Sequence, residues 1–464
     1  MKTKKLFGSA LACAITLLNV AAAGALVLPK PLVPITQDFT LPNGLRVILS
    51  EDHTAPVASV VLVYNVGSRD EVKGRSGFAH LFEHMMFQGS ENVAKAEHFK
   101  VVGDAGGSTN ASTHHDFTDY FERVPSSEVK MALWLEADRM RSLAINQKNF
   151  TNQLETVKEE KRMRIDNQPY GLANLRVDEV VFDNYANAHP VIGSFEDLEA
   201  SSIDDVKQFF KTYYAPNNAV MAIVGDIDSA AVHKTVEQYF SDIPRQPAPP
   251  APSVAEPPTT KARYELIKDK LADAPGFWME WKVPPQRSPE YFPLLIMTNI
   301  MSSGQSSRLY QRMIKGEQIA LSADAGLDSR RGPSEWGVFV LMKPNTTSEK
   351  ARDVVWEEIE RMKNEPVSEA ELKKAQSQIM RNFFSSNSGS SLQKTLSKAN
   401  MLARYAAFWG DPRLIDQDME AVMKVTPADI QAVAKKYLTR DSVAVVDVVP
   451  DKATAQLPKA GGAH

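Results

Sequence analysis

Thiols are almost absent from this chain: one cysteine, Cys13, occurs in 464 residues, inside an apolar N-terminal run. Without that run no sulfhydryl remains, which excludes disulfides and cysteine nucleophiles. Excess positive charge is missing too. Lys and Arg number 53 against 57 Asp and Glu, a formal charge of −4, so nothing favours a polyanionic partner such as nucleic acid. No later apolar stretch is long enough to cross a bilayer. Gly103, Gly106 and Gly107 cluster loosely, but no G-K-[ST] follows, so they are not a phosphate loop. Histidine is scarce in the second half: eight of nine fall at or before His233, and the last is the terminal His464. A histidine-based metal site can therefore be supplied only by the first half.

What is present begins with a leader. Lys2, Lys4 and Lys5 form a positive head, Leu6 to Val20 an apolar body, and Ala21-Ala22-Ala23 and Ala23-Gly24-Ala25 two A-x-A cleavage sites. Residues 1–25 are predicted to be a cleaved signal peptide. The run is short for a membrane anchor, and Pro29 and Pro31 follow closely. Lipidation at Cys13 is the weaker alternative, because Ala10 stands where leucine is usual. The expected location is periplasmic or secreted.

Length suggests two or three domains. Residues 244–258 (PRQPAPPAPSVAEPP) hold seven prolines and read as a stiff extended linker, 244–262. It separates two halves that resemble each other. Residues 204–226 (DDVKQFFKTYYAPNNAVMAIVGD) align with 428–450 (ADIQAVAKKYLTRDSVAVVDVVP), each a helix, a turn and a hydrophobic strand. Ser202 with Asp205, and Thr426 before Pro427, mark the helix starts. Earlier in each half a strand precedes a helix: VASVVLVYNV before GFAHLFEHMMF, and GFWMEWKV before YFPLLIMTNIM. The predicted class is α+β: two duplicated domains, 38–243 and 263–455, each a mostly antiparallel sheet packed with helices. Two unrelated domains of similar type are the alternative.

The chemistry concentrates in His80-Leu81-Phe82-Glu83-His84. The spacing predicts a helix over 77–88 with Ser76 as N-cap and Gly89 as its stop. Phe78, Leu81, Phe82, Met85 and Met86 take one side; His80, Glu83 and His84 share the other with Phe87. Two histidines one turn apart can converge on one zinc ion, and the glutamate between them can accept a proton from its water. The bland reading is a polar face with two solvated histidines, but the apolar remainder makes this a buried helix. A zinc hydrolase of this kind needs a third ligand and an open position. The helix expected over 149–165 offers Glu155, Glu159 and Glu160. Phe150, Leu154, Val157 and Arg164 mark an inward stripe that Glu160 joins, while Glu155 and Glu159 form an outward row. Periodicity prefers Glu160, with Glu159 second.

The chain resembles the pitrilysin or insulinase family of zinc metallopeptidases, in the half-size branch that includes mitochondrial processing peptidase. The likeness spans roughly residues 38–450 and rests on HLFEHMMFQGS (80–90), NASTHHDFTDYFERVP (110–125), VKEEKRMRIDNQPYG (157–171) and SSRLYQRMI (306–314). It implies zinc, one per chain, on His80, His84 and Glu160, with Glu83 as the general base. Gln153 departs from the family's glutamate seven residues before the third ligand. The segment from Asn110 to Tyr120 resembles an edge strand that pairs with substrate, which makes Asn110 and Ala111 substrate-binding candidates; a plain surface hairpin is the other reading. Arg308 and Tyr310 resemble second-domain groups facing the cleft, or serve structure alone. His114 and His115 read as solvated. A cleft between the halves, unfolded peptides as substrates, and pairing with a second copy or a related subunit lacking H-x-x-E-H are what the resemblance implies. The competing reading is a noncatalytic assembly subunit that keeps its metal site.

Overall fold

The run VASVVLVY is apolar on both faces except at Ser59, and it becomes a strand sandwiched between two cores. The computed structural model describes residues 31–344, 346–384 and 391–451, so the predicted leader and His464 lie outside the described residues. The first sheet comprises β1 (Gln37–Thr40), β2 (Arg46–Glu51), β3 (Val57–Tyr64), β4 (Ser108–Thr113), β5 (Thr118–Pro125) and β6 (Ala219–Gly225), ordered β1-β2-β6-β3-β5-β4. The second comprises β7 (Arg263–Asp269), β8 (Gly276–Val283), β9 (Ala320–Asp328), β10 (Ser334–Met342) and β11 (Ala444–Pro450), ordered β7-β11-β8-β10-β9. Apart from the extra β1, the two orders are the same. Each sheet has one parallel pair, β2 with β6 and β7 with β11, and every other pairing is antiparallel. The sheets are thus mixed, and the topology is duplicated as the sequence pattern predicts.

Period-2 alternation sorts the side chains between cores. On β3, Ala58, Val60, Leu62 and Tyr64 join the core under the helices of the first half, while Val61 and Val63 join the other core. That second face is covered by the helix Thr395–Trp409, which comes from the second half and packs on β3 and β6. The exchange is reciprocal. The helix Gly171–Val181, from the first half, packs on β11, β7 and β8 and buries Ala173, Val177 and Val180 with Trp278 and Val446. Each half therefore lends one helix to the other's sheet, which fuses them through shared apolar surface. Polar contacts reinforce the join: Ser59 Oγ meets Thr395 Oγ1 at 2.9 Å, and Asn400 Nδ2 donates to Asp119 Oδ2 at 2.6 Å.

Residues 244–262 form no helix or strand, and the segment is strapped down at Glu256. Its carboxylate accepts from the amides of Asp183 (2.9 Å) and Asn184 (3.0 Å), Asn187 Nδ2 (2.6 Å) and Lys282 Nζ (3.0 Å). Both helix starts form capping boxes, Ser202 with Asp205 and Thr426 with Asp429.

Candidate metal centre

The motif helix is Phe78–Met85, shorter than the expected span. Ser76 does not cap it; its hydroxyl donates to Asp197 Oδ2 at 2.6 Å. Gly77, at φ +84°, takes the cap position, and the free amides go to the fully buried Glu71. Gly77 N donates to its Oε2 (2.9 Å) and Ala79 N to its Oε1 (2.7 Å), which places a carboxylate at the positive end of the helix. His189 Nε2 donates to Glu71 Oε2 at 2.9 Å, and its Nδ1 lies 2.6 Å from Tyr185 O. Both ring nitrogens face oxygen atoms, an arrangement that favours the protonated ring beside Glu71. Burial lowers the His189 pKa, but Glu71 raises it overall; burial pushes the Glu71 carboxyl up. Periodicity could not find this clamp, because neither residue belongs to the helix.

Phe78, Leu81, Phe82 and Met85 are buried, which turns His80, Glu83 and His84 toward a cavity of about 590 Å³. Glu160 enters from the helix Gln147–Lys161, held there by buried Phe150 and Val157. Its Oε2 stands 3.1 Å from His84 Nε2 and 3.7 Å from His80 Nε2. Zinc–ligand bonds of about 2.0–2.1 Å in a tetrahedron put ligand atoms roughly 3.3 Å apart, so these separations suit a zinc ion. Burial, the neighbouring His84 and Arg164 bring the His80 pKa down to about 4, leaving the neutral ring that ligates metal. The hydrogen bond from His84 holds the Glu160 carboxyl below its ordinary range. The residues fit zinc. Glu159 points away, 56 % exposed and 3.1 Å from Arg162, and Glu155 is likewise exposed beside Lys158. Arg164 departs from the inward stripe. The helix widens to π geometry over Arg162–Asp166, and the Arg164 side chain is 74 % exposed while its guanidinium reaches back to Glu160 at 2.6 Å.

Glu83 is half-buried and accepts from Thr113 Oγ1 at 2.5 Å; burial raises its pKa and that hydrogen bond opposes the rise. Asn110, Ala111 and Thr113 line the same cavity from β4, the sheet's edge strand. The stretch read as one strand from Asn110 to Tyr120 is two: β4 ends at Thr113, a turn follows, and β5 starts at Thr118. His114, in that turn, is exposed. His115 is not solvated: it faces Ser68 Oγ at 3.0 Å and Asp178 Oδ2 at 3.5 Å. Gln153 lines the cavity and donates to Asn152 Oδ1 at 3.0 Å.

Arg308 and Tyr310 are not among the residues lining this cavity. Arg308 is buried and paired with Glu371 at 2.9 Å, and Tyr310 opens a π-helical turn, Tyr310–Gly316. The cleft reaches the second half through a cavity of about 430 Å³ that shares Ile165, Val191 and Ile192. Its far wall carries Trp278, Glu280 and Glu335. In the second half the counterpart helix, Tyr291–Ser302, buries Leu294 and Met297, and Thr298 accepts from buried Trp336 Nε1 at 2.9 Å. Among the described residues one other cluster has metal-ligand character, His98, Glu122 and Glu136, but Arg139 already supplies its cation through both glutamates.

Residues 46–193 match the insulinase (peptidase family M16) model, and residues 201–379 match the peptidase M16 inactive domain. The zinc protease PqqE of Helicobacter pylori is 29% identical over 423 residues, covering 89% of this chain and 93% of that one. The beta subunit of mitochondrial-processing peptidase from Lentinula edodes is 25% identical over 416 residues, 87% and 88% of the two chains. A crystal structure of a protease from Helicobacter pylori superposes with TM-score 0.85 at 26% identity, over 90% of this chain and 100% of that one. The chain belongs to the insulinase (peptidase M16) family, as a single pairing of its metal-motif and inactive domains.

Proposed function

We propose that this chain is an exported zinc metalloendopeptidase that hydrolyses unfolded peptides or small proteins. The observation that carries the reading is the meeting of His80, His84 and Glu160 at zinc spacing, with Glu83 beside them below an edge strand. The names of the relatives as zinc proteases support it. We assign residues 38–243 to the catalytic domain, 244–262 to the linker and 263–455 to the noncatalytic domain. A zinc ion held by the three ligands would lower the pKa of its water to about 7 and polarise the scissile carbonyl. Glu83 takes the proton of the attacking water and passes it to the leaving amine nitrogen. The edge of β4, at Asn110 and Ala111, aligns an extended peptide by main-chain hydrogen bonds. The cleft is completed by pairing with a second copy or a related subunit, and the leader directs the chain to the periplasm or outside the cell.

Glu83→Gln should retain one zinc per chain and lose roughly 10²–10⁴-fold in turnover of a random-coil peptide. A chelator should abolish cleavage by the parent protein, and added zinc should restore it. Unimpaired cleavage by Glu83→Gln overturns the assignment. A zinc-loaded parent protein inert toward a random peptide mixture supports the assembly-subunit reading instead.

A further inference from the structure

We propose that Thr113 is a positioning residue: its hydroxyl fixes the Glu83 carboxylate in the orientation that receives the proton of the attacking water. The proposal rests on the assignment of Glu83 as general base. Thr113 Oγ1 donates to Glu83 Oε2 at 2.5 Å, and among the described residues no other hydrogen bond to this carboxylate is formed. A glutamate side chain has three rotatable bonds, and Glu83 sits half-buried on the open face of its helix, so a single donor decides where its oxygens lie. With Oε2 tied to Thr113, Oε1 remains as the proton acceptor.

The donor is itself rigidly placed. Thr113 closes β4, paired with Thr118 on β5. Its neighbour Ser112 donates to Asp119 Oδ1 and meets His114 Nε2 at 3.0 Å. Asp119 in turn accepts from Asn400 Nδ2 at 2.6 Å, on the helix lent by the second half. The strand proposed to align the peptide therefore also orients the base. One element then sets both the scissile bond and the group that acts on it, which suits a reaction sensitive to sub-ångström placement.

The test compares Thr113→Val, which keeps the β-branched shape and loses the hydroxyl, with Thr113→Ser, which keeps the hydroxyl. Both are made in the full chain and assayed with zinc content, melting temperature, KM and kcat. Thr113→Val should lower kcat roughly 10- to 100-fold, with KM, zinc content and melting temperature essentially unchanged. Thr113→Ser should return kcat to within roughly threefold of the parent. An unchanged kcat in Thr113→Val overturns the proposal. So does equal impairment of both variants, which would assign the effect to the lost methyl group or to packing, and so does loss of zinc or folding in Thr113→Val while Thr113→Ser is also inactive. Glu83→Gln runs alongside. If it alone is fully active, the base assignment has failed; if it is inactive while Thr113→Val is unaffected, the positioning role has failed.

Discussion

Replacing Glu71 by glutamine should loosen the helix that carries His80 and His84. The Glu71 side chain is fully buried and accepts three hydrogen bonds, from Gly77 N, Ala79 N and His189 Nε2. Glutamine keeps one carbonyl oxygen for Ala79 N but turns an amide NH₂ toward two donors. Each buried donor left unsatisfied costs about 1–3 kcal/mol. Breaking a buried ion pair from one side costs about 3–5 kcal/mol, and the same range is expected here. For two halves fused through shared cores, a unit of more than 400 described residues, that is a fall of roughly 3–6 °C in Tm. The melt should be followed by circular dichroism on metal-free protein, because bound zinc would mask the loss. The pH dependence has a definite sign. The folded pKa of His189 is raised, so the clamp stabilises fully below the ordinary histidine value of about 6.5 and weakens as pH rises through the higher folded value. Glu71→Gln should flatten that slope. A variant melting within about 2 °C of the parent, with the slope intact, would refute the clamp.

Glu160→Gln should weaken zinc binding by more than the roughly 10–100-fold that loss of an outer-shell partner costs, whereas Glu159→Gln should leave it unchanged; competition with a chromophoric chelator measures both. A Cβ at Gly193, at φ +74°, would lie 2.6 Å from the backbone of Gly77, itself at φ +84°. Gly193→Ala should therefore destabilise by about 1–3 kcal/mol or more and disturb zinc retention, read by melting and metal analysis. Thr298→Val strands the buried Trp336 indole N–H and should cost about 1–3 kcal/mol in denaturant unfolding, with zinc content unchanged. Burial raises the Asp52 pKa, but the hydrogen bond from Lys398 and those from Thr54 bring it down to about 2. Its contribution is present above the ordinary carboxylate value and lost as pH falls toward 2, so Asp52→Asn should remove about 1–2 kcal/mol of acid-sensitive stability, seen in melts below pH 4.

Much of the site was legible because it is written in local spacing. The i, i+3 and i+4 positions of His80, Glu83 and His84 fix a shared helix face whatever the rest of the chain does. The strand-and-helix order of each half was equally plain, since VASVVLVY and GFWMEWKV bury both faces and can be little else. The Arg164 stripe failed because periodicity assumes one helical pitch, and the pitch changes at Arg162. Ser76 failed as a cap because its hydroxyl goes to Asp197 while Glu71, six residues before Gly77, takes the amides. The single strand expected over Asn110 to Tyr120 failed because the His114–Phe117 turn carries neither glycine nor proline to announce it.

By itself the sequence determined the duplicated α+β order, the zinc-type helix and the lopsided supply of histidines, all read from local patterns and from where those patterns recur along the chain. Periodicity and the family resemblance preferred Glu160 to Glu159; only the tertiary structure brought its carboxylate up to the histidines, set His189 on the Glu71 clamp, and covered each half's sheet with a helix lent by the other. These depend on contacts between segments tens to hundreds of residues apart. Such contacts are selected by burial and hydrogen-bond satisfaction over the whole fold, and no local period records them.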